Sequence, residues 1–429
     1  MPRDVLPPGP RLPAFIQLAA FASQPWKFLD SCAARYGDVF TLRLASQQPW
    51  VVVSHPDTVK EVLTGPPEVL LAAEGNRMMQ PLMGANSLLL LEGDAHREQR
   101  RLIVPSFRGN GLKFYTDKVT AVTQAEIARW PRGRPVRLYP RMQELTLEVM
   151  LRGVFGLSTG TRLDQLRAEL LRMLRKKSGP LMLTVGPPRM RAALTRNFLM
   201  GQIDRLVHAE IDDRRRAGDW AERSDLLSIL LQARHADGQA LNDAEIRDEL
   251  VTMLLAGEET TATSLAWAVE RLVRHPEHQA RLIEETRVGD HRFVDAVVKE
   301  TLRVRPVSSM VMRKLNAPMQ IDGFRLPAGV SVVSSIYLTH RRPDLYPDPE
   351  CFRPERFLDQ PAGTYTWIAF GGGERRCLGA TFAELEMRVV LSMLFDTFKV
   401  RPADERPEPV RWQGMLTPVP GRGATVVLE

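Results

Sequence analysis

From Asn242 to His275 the chain runs for about 33 residues with no helix breaker, and this stretch constrains the fold more than any other. Asn242 and Glu245 have the spacing of a capping box at its start, and His275-Pro276 stops it. At roughly 1.5 Å per residue, the result is a rod of about 50 Å, long enough to cross a whole domain. The rest of the chain has to be arranged around it. With 429 residues, 44% of them hydrophobic and 25% charged, there is ample material for a large core. No Gly/Ser linker, low-complexity tract or internal repeat marks a boundary. A single domain over 1–429 is expected, with a Pro-rich lead-in at 1–13.

Helical periodicity also covers 112–130, 139–156, 190–217, 292–304 and 380–398. VFTLRL (39–44) and WVVVS (50–54) are β-rich runs on either side of a polar turn, so they predict a hairpin. A second β region follows residue 318, with Asp322-Gly323 as a turn, and ATVVLE at the C-terminus supplies one more strand. The class is mostly α with small β regions.

The three cysteines, Cys32, Cys351 and Cys377, include no CxxC pair, which argues against a disulfide framework or a structural zinc site and fits a reducing, cytosolic compartment. The start has prolines at 2, 7, 8, 10 and 13 and is neither a signal peptide nor a membrane span of about 20 apolar residues. A soluble protein without a transmembrane anchor is expected. The net charge of +7 gathers at Arg175-Lys176-Lys177, Arg214-Arg215-Arg216 and Arg375-Arg376. The first two runs read as solvated basic faces, and no nucleic-acid motif accompanies the charge.

Three places break local rules. In LLAGEETTATSLAW, Gly257 and the threonines weaken the long helix. Thr260, four residues after Ala256, can take that carbonyl and open the helix locally beside Gly257. A bent structural helix is one reading. The other is a groove where an acid, Glu259, and an alcohol, Thr260, handle protons beside a ligand. In RFVDAVVKETLRVRP, Phe293, Val297, Glu300 and Val304 share one face, so a carboxylate falls in an apolar stripe, with Arg303 in reach as its partner. We read this pair as a fold anchor. In EGDAHREQRRL, His96 and Arg100 can present two donors to one anion, or can lie on a solvated basic helix.

The stretch FGGGERRCLG (370–379) poses the chemical question. Gly371 and Gly373 have dinucleotide-loop spacing, but the third glycine position is Arg376, so a phosphate cradle is excluded. A nucleophilic thiol would need a base and an orienting group that one sequence cannot show. The flanks favour ligation. A helix predicted from about Leu378 puts Cys377 at a helix N-terminus, which favours a thiolate, and the glycines let backbone N–H groups close around the sulfur.

FGGGERRCLG resembles the haem-binding loop of the cytochrome P-450 superfamily, FxxGxRxCxG, at Phe370, Gly373, Arg375, Cys377 and Gly379. AGEET (256–260) looks like that family's oxygen-activation motif, ETLR (300–303) like its ExxR motif, and PERF (354–357) supplies Arg356 to complete a Glu300–Arg303–Arg356 triad. These matches follow the family's order and cover essentially the whole chain.

The resemblance implies the cytochrome P-450 fold, with haem b between the long central I-helix and the L-helix with its Cys loop. It makes Cys377 the axial thiolate of the haem iron and Phe370 its packing partner. His96, Arg100, Arg375 and Arg313 would hold the propionates, and Ala256 and Gly257 would border the haem. His96 stands where the family often has tryptophan, so the donor is kept and the packing differs. Glu259 and Thr260 would relay protons, Glu259 being one methylene longer than the family's usual aspartate. The activity implied is a monooxygenase using O2 and two electrons from a ferredoxin or flavodoxin with its reductase, docking at Arg97, Arg101 and Arg376. A peroxide-driven peroxygenase and a haem-thiolate sensor without turnover are the alternatives. The segment 71–93 corresponds to the family's variable lid. Met78, Met79, Leu82, Met83, Leu88 and Leu89, with Val307, Met310, Val311 and Met415, suggest an apolar pocket for a lipophilic small molecule, as in secondary metabolism. A monomer is expected.

Overall fold

The run WVVV at 50–53 is apolar at every position, which suits a strand covered on both faces rather than one with a wet side. In the computed structural model, which describes residues 6–44, 48–107, 110–157, 160–175, 199–413 and 417–429, that strand lies inside a five-stranded sheet. The strand order is Val39–Leu42, Trp50–Val53, Ser331–Ser335, Met310–Leu315 and Leu70–Leu71. Val39–Leu42 and Trp50–Val53 pair antiparallel as the predicted hairpin, and Trp50–Val53 pairs in parallel with Ser331–Ser335. Period-two alternation sends Val39, Val51, Val53 and Val332 into one apolar cluster with Leu63 and Ile368. The intervening Phe40, Val52 and Val333 enter another, with Phe21, Trp26 and Met310.

This sheet belongs to the first of two compact units, formed by Met1–Gly75, Trp267–Cys377 and Glu408–Gly421. The second comprises Asn76–Ala266, Leu378–Pro407 and Arg422–Glu429. In the second unit the Asn110–Ile127 helix packs on the Leu138–Val154 and Ala380–Thr397 helices, and Phe107, Tyr115 and Phe382 form an aromatic cluster between them. The C-terminal strand Thr425–Leu428 is there as expected, flanked by Pro135–Arg137 and Val400–Pro402.

The long helix spans Asp243–Leu272. Its capping box forms as predicted: the Glu245 carboxylate accepts from Asn242 N–H at 2.8 Å, and Asn242 Oδ1 accepts from Glu245 N–H at 3.1 Å. It stops three residues before the predicted end because His275 caps the next helix, Pro276–Arg287. Asp322 and Gly323 both take positive φ, 48° and 79°, and turn Met319–Ile321 into Phe324–Leu326. The strand Met310–Leu315 was not predicted.

One expectation is corrected. Arg214 is not on a solvated face: it is buried, with Nη1 2.9 Å from Asp225 and Nη2 donating to the Phe155 carbonyl at 2.7 Å. A helix turns its face every 3.6 residues, so three consecutive arginines cannot all point outward. The 190–217 helix is described from Gly201 to Ala217, and residues 190–198, like Lys176 and Lys177, lie outside the described residues. Among the described residues, no helix is long and apolar enough to cross a membrane.

Candidate active site

In the first unit, the loop from Ile368 to Cys377 folds back on itself. Gly371 N–H donates to the Ile368 carbonyl at 2.9 Å, Arg376 N–H to Gly373 at 3.1 Å, and Cys377 N–H to Phe370 at 2.9 Å. Gly373 has φ +64°, and a Cβ there would lie 2.0 Å from the Leu63 carbonyl oxygen. Glycine is therefore required both for the backbone conformation and for the close approach to the Pro56–Thr64 helix. Gly379 differs: a Cβ there would point into open space. Cys377 is exposed and in no disulfide. The following helix starts at Ala380 with Gly379 as its N-cap, two residues later than predicted, so Cys377 precedes the cap rather than forming it.

Behind this loop lies a buried ion-pair network. Arg303 makes a two-pronged contact with Glu300, Nε to Oε2 at 2.7 Å and Nη2 to Oε1 at 2.8 Å, and neither side chain is exposed to solvent. Arg356 Nε reaches Glu300 Oε1 at 3.2 Å, and Arg353 N–H donates to the same oxygen at 2.8 Å. The remaining Arg303 donors go to the carbonyls of His340, Pro349 and Cys351. Every prong is answered, the condition under which a buried pair is tolerated, and removal of one member costs about 3–5 kcal/mol. The network reaches the loop through His340, whose Nε2 accepts from Ile368 N–H at 2.8 Å. His340 is fully buried; burial, then the nearby Arg303, pushes its pKa down to about 3, so the ring is neutral.

In the second unit, Thr260 Oγ1 donates to the Ala256 carbonyl at 2.8 Å, as predicted. Both residues are exposed, although Thr261 to Glu270 are buried throughout. The helix runs on through Gly257 as one element. Gly257 serves packing: a Cβ would meet Met150 Sδ and Cε at 2.8 Å. Burial raises the Glu259 pKa, partly opposed by a hydrogen bond from Tyr139.

Two carboxyls beneath it escaped the sequence reading. Glu258 is buried and its pKa lies well above the usual range, through burial first and then through Glu259 and Glu386. Glu386, on the Ala380–Thr397 helix, is fully buried, and burial pushes its pKa to about 8. Its oxygens have no hydrogen-bond partner among the described residues. The signal existed: Glu386, Val390 and Leu394 share a helix face, so a carboxylate sits in an apolar stripe, as at Glu300.

His96 is buried and Arg100 half-buried on the Gly93–Ile103 helix of the second unit. Arg313 is buried on the Met310–Leu315 strand and Arg375 is half-buried, both in the first unit. Val311, on the same strand face as Arg313, lies 3.8 Å from where a Gly371 Cβ would be, which places the loop along that strand. Arg97, Arg101 and Arg376 are exposed, and Arg97 pairs with Asp94.

Of the apolar candidates in the second unit, Met78 is exposed, Met79, Leu82 and Leu89 are half-buried, and Met83 and Leu88 are buried. In the first unit Val307 is half-buried, whereas Met310 belongs to the apolar cluster on one face of the sheet and so has a packing role there. Met415 lies outside the described residues.

Comparison with known proteins bears out the resemblance. The family model described as Cytochrome P450 matches residues 6–425. A protein named cytochrome P450 135B1 from Mycobacterium tuberculosis (strain ATCC 25618 / H37Rv) is 41% identical over 431 residues, covering 98% of this chain and 91% of the relative. Another from that strain, named cytochrome P450 135A1, is 37% identical over 422 residues, covering 98% and 94%. Among solved structures, a retinoic acid-bound cyanobacterial CYP120A1 matches with a TM-score of 0.83 and 25% identity, over 99% of this chain and 100% of that one. The cytochrome P450DA heme domain matches in fold, with a TM-score of 0.85 at 21% identity, over 99% and 97%.

Proposed function

The chain belongs to the cytochrome P450 family of haem-thiolate monooxygenases, which hold haem b through a cysteine thiolate, and from this premise we propose that it oxygenates a lipophilic small molecule. The reaction is hydroxylation or epoxidation with O2, using electrons from a separate ferredoxin or flavodoxin and its reductase. The observation that carries the reading is the Cys377 loop: an exposed thiol after a glycine turn of fixed geometry, with open space on the Gly379 side. The other cysteines fit less well. Cys32 is buried and burial pushes its pKa to about 11, and Cys351 has no glycine turn around it.

When bound, the haem supplies the oxidising chemistry, and its thiolate ligand favours O–O cleavage. Cys377 would ligate the iron, with Phe370 packed beside it. His96 and Arg100 in the second unit, and Arg313 and Arg375 in the first, would each offer a charge-assisted hydrogen-bond donor to a propionate. Glu259, which accepts from Tyr139 and whose pKa burial raises, would supply protons through the Thr260 hydroxyl, which donates to the Ala256 carbonyl. The Met- and Leu-rich segment 71–93 shapes an apolar pocket, and the retinoic acid held by the cyanobacterial structure is of the same chemical character. A cytoplasmic location suits three cysteines that form no disulfide.

The test is the reduced, carbon monoxide-bound absorption spectrum of the wild type and of Cys377→Ser. The wild type should give the thiolate-ligated spectrum and the variant should lose it. A histidine-type spectrum in the wild type refutes the axial assignment, and turnover with peroxide alone, equal to that with a ferredoxin system, refutes the O2 route.

A further inference from the structure

Beyond the long helix, in the first unit, HPEH at 275–278 turns the chain into the Pro276–Arg287 helix, with His275 at the N-cap and Glu277 in the first turn. Nδ1 of His275 lies 3.4 Å from Oε1 of Glu277, and Nε2 of His278 lies 3.9 Å from the same oxygen. One donor atom from each of the three residues lies within 4.8 Å of the others. Tetrahedral zinc, with ligands at about 2.0–2.1 Å, separates its donors by roughly 3.3–3.5 Å. The closer pair already has that spacing, and closure of the set needs rotation of Glu277, whose side chain is 65% exposed, together with small rotations of the two imidazoles.

A second observation concerns the other nitrogen of His278. Its Nδ1 faces Glu355 Oε1 at 3.4 Å. A carboxylate on the far ring nitrogen is the arrangement that fixes the tautomer and orientation of a metal-bound imidazole. That leaves Nε2, 3.9 Å from the Glu277 oxygen, as the His278 nitrogen a metal would take. Two imidazoles and one carboxylate suit zinc and its neighbours, not calcium or magnesium.

The geometry points to a binding site for zinc or a similar divalent transition metal on His275, Glu277 and His278, with Glu355 orienting His278. Glu355 immediately precedes Arg356, which reaches Glu300 at 3.2 Å. The metal would therefore tie the start of one helix to the segment that completes the buried triad. Arg281, 3.7 Å from Glu355, acts on the orienting carboxylate and not on the donor atoms.

The experiment uses the untagged, haem-loaded full chain, freed of metal with a chelator and titrated with zinc alone against a chromophoric zinc chelator, with zinc-edge X-ray absorption. One equivalent per chain should bind, with N/O ligands at about 2.0–2.1 Å. Glu277→Gln and His278→Ala should weaken binding by about 100-fold or more, and Glu355→Gln by about 10- to 100-fold. Glu277 is exposed, so its variant keeps the fold, and zinc should raise the Tm of the wild type but not of Glu277→Gln. His235, which faces Glu98 at 3.6 Å and Glu245 at 3.2 Å, is the control, and His235→Ala should bind normally. Absence of saturable binding tighter than about 10 μM, or loss of binding in His235→Ala but not in His278→Ala, overturns the proposal.

Discussion

His340 links the buried ion-pair network to the cysteine loop, and replacing it with alanine separates them. The variant leaves the Ile368 N–H, at a residue with no exposure, without its acceptor. An orphaned buried donor costs about 1–3 kcal/mol. The void left by the imidazole, in a site where Trp367 stacks on the ring, adds about 2 kcal/mol. Together, His340→Ala should destabilise the protein by about 3–5 kcal/mol near neutral pH.

The effect has a pH dependence whose sign follows from the ring being neutral in the fold. Its folded pKa of about 3 lies below the ordinary 6.5, so the unfolded chain takes up the proton first. The stability due to His340 is complete above pH 6.5 and declines by about 1.4 kcal/mol per pH unit as pH falls towards 3. The gap between wild type and variant should therefore shrink by about 1.4 kcal/mol between about pH 7 and pH 5.5. Urea titrations of the haem-loaded proteins, followed by circular dichroism, measure both quantities. A loss below about 1 kcal/mol, or a gap that is constant with pH, refutes the reasoning.

Glu386 has the opposite sign. Its folded pKa of about 8 exceeds the ordinary 4.5, so its contribution is complete below pH 4.5 and is lost as pH rises to 8. Glu386→Gln should raise stability by about 2–4 kcal/mol near pH 8 and leave it unchanged near pH 4.5, as thermal melts across that range would read; identical pH profiles would contradict it. For the proton relay, Thr260→Ala should lower product per reductant consumed by about tenfold or more, with peroxide released in its place. Product and reductant assays decide this, and tight coupling in the variant removes Thr260 from the relay.

What was legible in the sequence was local. The capping box at Asn242 and Glu245, the Thr260 bond to Ala256, the Glu300–Arg303 pair and the Asp322-Gly323 turn each involve residues within four positions of one another. Their chemistry is decided before any distant segment arrives. The Met310–Leu315 strand was not legible because Arg313 occupies a buried position and disturbs the apolar alternation that marks a strand. Gly257 and Gly373 were visible as glycines, but their reasons lie in Met150 and in the Leu63 carbonyl, far away in the chain. At the site, the motif residues stood out, while Glu258 and Glu386 became notable only once burial and proximity were known.

The central sheet also has a consequence for synthesis. Trp50–Val53 pairs in parallel with Ser331–Ser335, so its neighbour leaves the ribosome some 280 residues later. At about 5–20 residues per second, the nascent hairpin waits roughly 15–55 s with an apolar edge uncovered. During that interval its one strand partner among the described residues is the short Val39–Leu42, and a chaperone or a slow codon stretch would act on that window. Yield from an expression host should therefore respond to synthesis rate even when the finished protein is stable.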